Sequence, residues 1–324
     1  MGPSVLNRRV MLTGALAALS ASAAWGQDAY PSRPVKIIVP TGAGAALDTV
    51  ARGLAAQLET LLGVPFVVEN KPGANSTIGS EFVARSSPDG YTLLYTGQAI
   101  TVNPSLYKLS YDAQQSFVPI ATVATAPITL VVPRDSRFAT VRDLIREAKS
   151  NQTNALTYGS AGLGSPPYLA AELFRQKAEV EFVHVPYKGA AQALTDLLGG
   201  RLDLMFPSLS LAQGFIATDK LRVLGIASEQ RSSLAPDIPT IAEMGLPGFA
   251  TSSWSGIVAP AGTPDAVVLR LENAIHQILE KEDVKEFFQK QGLDRGFRGR
   301  QAFVALIGEE LQNWSRMLGK PKGE

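Results

Sequence analysis

Two glycine loops carry most of the chemistry this sequence offers. Thr41-Gly42-Ala43-Gly44 follows the β-branched run Val35-Lys36-Ile37-Ile38-Val39, and Ser160-Ala161-Gly162-Leu163-Gly164 follows Leu156-Thr157-Tyr158. Each loop leads into residues at helical spacing, so each places a helix N-terminus, with free backbone N–H groups, at the end of a strand. Such a terminus holds anions. It contributes about 0.3–1 kcal/mol, up to about 2 when partly buried, and charged hydrogen bonds add about 1.5–3 kcal/mol each. Two termini together reach about micromolar affinity for a small carboxylate without an arginine clamp.

Competing chemistries are thinner. Gly42-x-Gly44, with Glu69 closing the next strand 25 residues on, also fits the start of a dinucleotide fingerprint. Leu47 stands where the third glycine belongs, so an exported Rossmann-type oxidoreductase is kept only as an alternative. Neither loop continues into the Gly-Lys-Ser/Thr of a P-loop. The chain has no cysteine and two histidines, His184 and His276. Disulfides, thiolate catalysis, iron–sulfur ligation and a His-rich metal centre are therefore excluded, and no metal or cofactor is expected. Ser160 and Ser165 have no histidine beside them in sequence, and His184, three residues before Tyr187, reads as a weak partner for a nucleophile. Asp48 reads as a first-turn aspartate that stabilises its own helix. Tyr168 and Tyr187 could stack on a ligand ring or close their lobe, and Lys188 could meet a ligand carboxylate or solvent. His276 reads as structural.

The elements that position these loops recur in one order. A strand (Val35–Val39) leads through the first loop into a helix carrying Leu47, Val50, Leu54, Leu58 and Leu61, which Gly63 ends. A strand (Pro65–Glu69), a loop at Asn70–Asn75, a helix (Thr77–Arg85) and a strand (Tyr91–Tyr95) follow. The later half replays this: Leu156–Tyr158, the second loop, a helix from Ser165 as N-cap and Pro166, a strand (Val180–Val185), a loop at Pro186–Ala190, a helix to Leu198 and a strand (Leu202–Phe206). Two copies of this unit predict two α/β lobes, each a mainly parallel sheet flanked by helices, with the loops on facing edges. Ile128–Val132 is expected to leave the first lobe and Leu221–Ile226 to return to it. The predicted division is residues 27–126 plus 228–324 for lobe 1 and 127–227 for lobe 2. Three helices after Pro260, on Val267–Ile278, from Asp283, and on Phe303–Trp314, are expected to pad lobe 1.

The 324 residues, 45% hydrophobic, suffice for two cores, and 30 Lys plus Arg against 29 Asp plus Glu give no field for nucleic acid. Asn7-Arg8-Arg9 precedes an apolar run, Val10–Ala24, which is short of the roughly 20 residues that span a bilayer. Residues 1–26 are read as a signal peptide, of the general secretory or twin-arginine type, with cleavage after Gly26. The mature chain then carries 28 positive and 29 negative side chains and is expected to be a periplasmic monomer.

Longer stretches point further. Tyr30-Pro31-Ser32-Arg33-Pro34-Val35, Val68-Glu69-Asn70-Lys71-Pro72-Gly73-Ala74, Ser87-Pro88-Asp89-Gly90-Tyr91-Thr92-Leu93-Leu94 and Asn103-Pro104-Ser105-Leu106-Tyr107 are four of them. Tyr158-Gly159-Ser160-Ala161-Gly162, His184-Val185-Pro186-Tyr187-Lys188-Gly189, Leu202-Asp203-Leu204-Met205-Phe206, and Ser253-Trp254 followed by Ala259-Pro260-Ala261-Gly262-Thr263-Pro264 complete the set. In order along the chain, these resemble the Bug receptors, the extracytoplasmic solute-binding proteins of tripartite tricarboxylate transporters.

The resemblance implies a two-lobed periplasmic-binding-protein (Venus-flytrap) fold. Such a receptor, not an enzyme, closes on a mono-, di- or aromatic carboxylate and delivers it to a membrane permease. A sensor that presents its ligand to a membrane kinase is the remaining alternative. Carried over by position, the first-lobe contacts are Thr41, Gly42, Ala43, Gly44, Asn75, Ser76, Thr77, Thr96, Gly97 and Gln98. The second-lobe contacts are Ser160, Ala161, Gly162, Ser165, Tyr187, Lys188 and Gly189. Three departures shape the expected ligand. Pro40-Thr41-Gly42-Ala43-Gly44 replaces the family's Pro-Phe-x-x-Gly-Gly. Pro207-Ser208 follows Phe206 where an acid is common, which disfavours amino acids. Pro166-Pro167-Tyr168 replaces a stretch that often carries histidine.

Overall fold

The computed structural model describes residues 30–150 and 154–319, so the expected signal peptide lies outside the described residues. In chain order, β1 (Val35–Val39), α1 (Ala46–Leu62), β2 (Phe66–Asn70), α2 (Thr77–Ala84), β3 (Thr92–Gly97), α3 (Ala99–Leu106) and β4 (Phe117–Ala126) open the first lobe. The second lobe takes β5 (Thr129–Pro133), α4 (Val141–Ser150), β6 (Leu156–Ser160), α5 (Pro166–Ala178), β7 (Phe182–Pro186), α6 (Ala190–Leu198), β8 (Leu204–Met205), α7 (Leu209–Ala217) and β9 (Leu221–Ile226). Then β10 (Ser253–Pro260), α8 (Asp265–Leu279), α9 (Glu282–Lys290), β11 (Asp294–Arg295) and α10 (Arg300–Leu318) complete the first lobe.

The sheet orders are β11-β4-β10-β3-β1-β2 and β7-β6-β8-β5-β9. Both sheets are mixed, not mainly parallel as expected, because the strands that cross between the lobes and their edge neighbours run antiparallel. The repeat read in the sequence is still visible, since β2-β1-β3 and β7-β6-β8 are parallel triplets in the same order. Beside each triplet lies an antiparallel strand, β10 or β5, that enters from the other lobe. Period-two alternation explains the layering. Val35, Ile37 and Val39 pack under α1, α8 and α9 with Leu54, Leu58 and Ile275, whereas Ile38 faces Val83, Ile100, Phe303 and Ile307 on the opposite side. Helix α1 ends at Gly63, whose φ of 74° lets its N–H reach Glu59 O.

Three expectations about the connections are corrected. Leu221–Ile226 does not return to the first lobe; it pairs antiparallel with β5 at the edge of the second sheet, and β10 makes the return. The stretch after residue 228 does not rejoin lobe 1 at once, because Ile241, Leu246 and Phe249 pack into the second core with Phe174 and Phe206. The C-terminal helices also do more than pad the first lobe. Helix α10 buries Phe303 and Ile307 in the first core and Trp314 in the second, and α3 likewise divides Ile100 from Val102. These two helices tie the lobes together beside the crossings at 127–128 and 250–252.

Candidate functional site

Every expected site loop lies at the carboxyl end of a parallel strand, on the edge where the crossings join the lobes. Thr41–Gly44 follows β1, Asn75–Thr77 follows β2, and Thr96–Gln98 ends β3; Ser160–Ser165 follows β6 and Tyr187–Gly189 follows β7. Glycine packing separates these loops from the core. A Cβ added at Gly42, Gly44, Gly162 or Gly189 meets nothing within 4 Å, whereas at Gly97 it would come 2.9 Å from Trp254 O. The loop glycines border open space. Helices α1, α2, α3, α5 and α6 begin at this edge with no side-chain cap, whereas Ser208 accepts a hydrogen bond from Leu211 N–H and caps α7 itself. Uncapped N-termini leave donors for a ligand.

A buried carboxylate anchors the first loop. Asp48, 2% exposed, accepts hydrogen bonds from Gly44 N (2.8 Å), Asn70 Nδ2 (2.8 Å) and Arg52 Nε (3.0 Å). Asn70 Nδ2 also donates to Thr41 O at 3.0 Å. Hydrogen bonding from Arg52, reinforced by the Gly44 N–H, lowers the Asp48 pKa to about 2. Asp48 stands in the first turn of α1, as read, but its carboxylate holds the preceding loop through Gly44 N–H instead of its own helix N–H groups. Glu69, the would-be ribose ligand, is instead 2.7 Å from Lys71 Nζ. Ala74, Asn75 and Ser76 all have positive φ (44°, 50° and 75°), a strained run for non-glycine residues. It is locked by Asn103, which accepts from Asn75 Nδ2 (2.8 Å) and donates to Asn75 O (2.7 Å). Thr41 Oγ1 and Gln98 Oε1 are buried without a protein partner.

A neutral pair anchors the second loop. Ser160 Oγ lies 2.7 Å from His184 Nε2 and accepts from Gly162 N at 3.0 Å. The His184 ring stacks on Tyr158, centroids 4.9 Å apart, and leans on Tyr168. Burial lowers the His184 pKa, partly offset by Glu172, which favours a neutral ring beside the serine hydroxyl. No histidine is local to Ser160 in sequence, as read; the fold brings His184 to it across a strand pair, since β6 and β7 pair in register, Tyr158 opposite His184, and Ser160 shares the face of Tyr158. This is not a nucleophile. Ser160 is 0% exposed, and its oxygen holds the loop.

Several expected contacts turn inward. Ser165 occupies the N-cap of α5, but its hydroxyl donates to Gly162 O at 2.7 Å and caps no helix N–H; Pro166 and Pro167 at the first two positions have none to give. Tyr187 donates its N–H to Ser160 O (2.9 Å) and its hydroxyl to Asp196 (2.8 Å), and Tyr168 is 9% exposed. Both rings therefore close their lobe. Lys188 is exposed, without an ion-pair partner among the described residues. Thr96 and Gln98 are buried, and Gln98 Nε2 donates to Glu310 at 3.2 Å. Glu310 also accepts from Thr101 Oγ1 (2.6 Å) and Trp254 Nε1 (2.9 Å). Burial raises its pKa in spite of these donors. His276 stacks on Phe297, 4.5 Å between centroids, as a structural residue. Asn103, His184 and Glu310 are the supporting residues that spacing along the chain does not reveal.

Comparison with known proteins shows the family and the fold. The family model described as "Tripartite tricarboxylate transporter family receptor" matches residues 50–322. A relative in the tcbD-tcbE intergenic region of Pseudomonas sp. (strain P51) is 36% identical over 317 residues, covering 97% of this chain and 94% of its own. Protein BugT of Bordetella pertussis is 33% identical, covering 90% of each chain. Among solved structures, a TctC solute-binding protein from Polaromonas without ligand superposes with a TM-score of 0.82 at 29% identity, covering 89% of this chain and 99% of its own. R. palustris Rpa4515 with adipate gives 0.71 at 31% identity, covering 90% and 99%. MatC from Rhodopseudomonas palustris with bound malate gives 0.66 at 30%, covering 89% and 100%. With this match across most of its length, the chain belongs to the Bug family of tripartite tricarboxylate transporter receptors.

Proposed function

We propose that the protein captures a small carboxylate between its lobes and, once closed, presents it to a tripartite tricarboxylate-type permease in the periplasm, without catalysing a reaction. The observation that carries this reading is the set of uncapped helix N-termini beside open glycines on both facing edges. Adipate and malate in two relatives support the ligand class, and the higher TM-score to the unliganded relative supports an open arrangement here.

The edge also narrows the ligand. On the second lobe, Pro166 and Pro167 lack N–H groups and Gly162 N–H is taken by Ser160, so α5 offers few donors. The carboxylate therefore belongs on the first-lobe termini and on α6, whose Gly189 N-cap leaves its first N–H groups free. An apolar body faces Pro166 and the 65%-exposed Leu163. No acid stands at Pro207-Ser208 to hold a ligand ammonium. A thermal-shift screen of residues 27–324 against dicarboxylates, aromatic carboxylates, amino acids and nicotinamide cofactors tests this. At 100 times Kd a ligand adds about 2.7 kcal/mol, or about 5–10 °C in Tm. A shift with one carboxylate class, abolished in Gly189→Asp, is expected; a shift with cofactor alone overturns the reading.

A further inference from the structure

The two crossings divide each sheet edge. In front lie β1–β3 and β6–β8 with the open loops; behind, β11 flanks β4 and β9 flanks β5. At this rear side the lobes touch again. Ser232 Oγ donates to Asp294 Oδ2 at 2.5 Å and Ser233 Oγ to Asp294 Oδ1 at 2.6 Å, so each carboxylate oxygen holds one hydroxyl. Arg298 Nη2 lies 3.7 Å from Glu229 Oε2.

The two sides of this contact belong to different lobes. Asp294 pairs with Thr125 of the first sheet, and Arg298 N donates to Thr122 Oγ1 at 2.7 Å. Ala227 N donates to Ile128 O of the second sheet, and Arg231 is bound to Glu243 of the segment that packs in the second core. A cavity of about 660 Å³, walled by Thr125 and Pro127 of one crossing and Thr251 and Ser252 of the other, lies beside these contacts.

We propose that Asp294 with Ser232 and Ser233, aided by Glu229 and Arg298, is a rear latch that holds the lobes open. A rotation about the crossings that brings the front loops together carries β11 away from residues 228–233, so closure must break these bonds. The latch sets the fraction of unliganded protein that is closed, and with it the apparent affinity for anything the closed form holds. It goes beyond carboxylate capture and rests on the two-lobed fold and on the open arrangement read above.

The cysteine-free chain permits a ligand-free test. Ala56→Cys on α1 and Thr195→Cys on α6, both exposed, carry a nitroxide pair whose distance distribution is read by pulsed dipolar EPR. The parent gives one long distance. In Asp294→Ala a shorter-distance population at least threefold larger than in the parent is expected, and the same in Ser232→Ala/Ser233→Ala. The serine variant leaves β11 untouched and decides alone if Asp294→Ala fails to fold. Unchanged distributions, or a shift to longer distances, overturn the latch. Because no ligand is present, failure of any carboxylate to bind leaves this result standing.

Discussion

The loop after β1 and the loop after β6 occupy equivalent places in the repeat but are held by opposite chemistry. The first hangs on an ionised, nearly buried aspartate that gathers Gly44, Asn70 and Arg52. The second hangs on a neutral imidazole–hydroxyl pair packed between two tyrosines. The repeated strand order carries the backbone and the placement of the glycines; what pins each loop is free to differ. The donor supply differs too, with an uncapped Ala45 ahead of α1 and two prolines opening α5.

Asp48→Ala breaks the comparison most severely. It strips a charged acceptor from three donors, and a loss of about 2–4 kcal/mol is expected, read from the urea midpoint. A loss below about 1 kcal/mol would mean that the first loop does not depend on its charge. His184→Phe keeps a ring between Tyr158 and Tyr168 but removes the hydrogen bond to Ser160, at an expected cost of about 1 kcal/mol.

Acid should separate the two anchors. In the unfolded chain His184 protonates near 6.5, whereas the folded ring resists, so the unfolded state binds more protons and stability falls as pH drops below about 6.5. Asp48 contributes stability that is fully present above its unfolded pKa of about 3.9 and is lost as pH falls through the folded value of about 2. His184→Phe should flatten only the upper window and Asp48→Asn only the lower, measured by urea unfolding from pH 7 to 2. The smallest stability change belongs to Gly42→Ala and Gly189→Ala. Both have open space and no positive φ, so each should cost under about 0.5 kcal/mol in folding yet weaken carboxylate binding measurably in calorimetry.

The elements of the repeat were legible because short β-branched runs, glycine punctuation and helical spacing all agree there, as in Val35–Val39 and the stripe from Val50 to Leu58. Where a strand goes is not written in its own residues. Leu221–Ile226 has the right composition for either sheet, and only its partner β5 decides. The loops that form the site were legible for the same reason, whereas side-chain direction was not. Gln98 turns inward because Glu310 waits 212 residues later, and Ser160 because His184 lies across a strand pair. Parallel register supplies the missing signal for the second case.

The place of β10 has a consequence for the order in which the molecule can form. β3 and β4 are successive strands, yet they never pair; β10, made after the entire second lobe, fills the gap between them. The second sheet lies in one stretch, residues 129–226, and can assemble as soon as that stretch is available. The first sheet must wait with the facing edges of β3 and β4 unsatisfied until Pro260 has been delivered, and with the far edge of β4 open until Arg295; such edges are where misassembly starts. The amino-terminal lobe, first to be synthesised, is therefore the last to be finished.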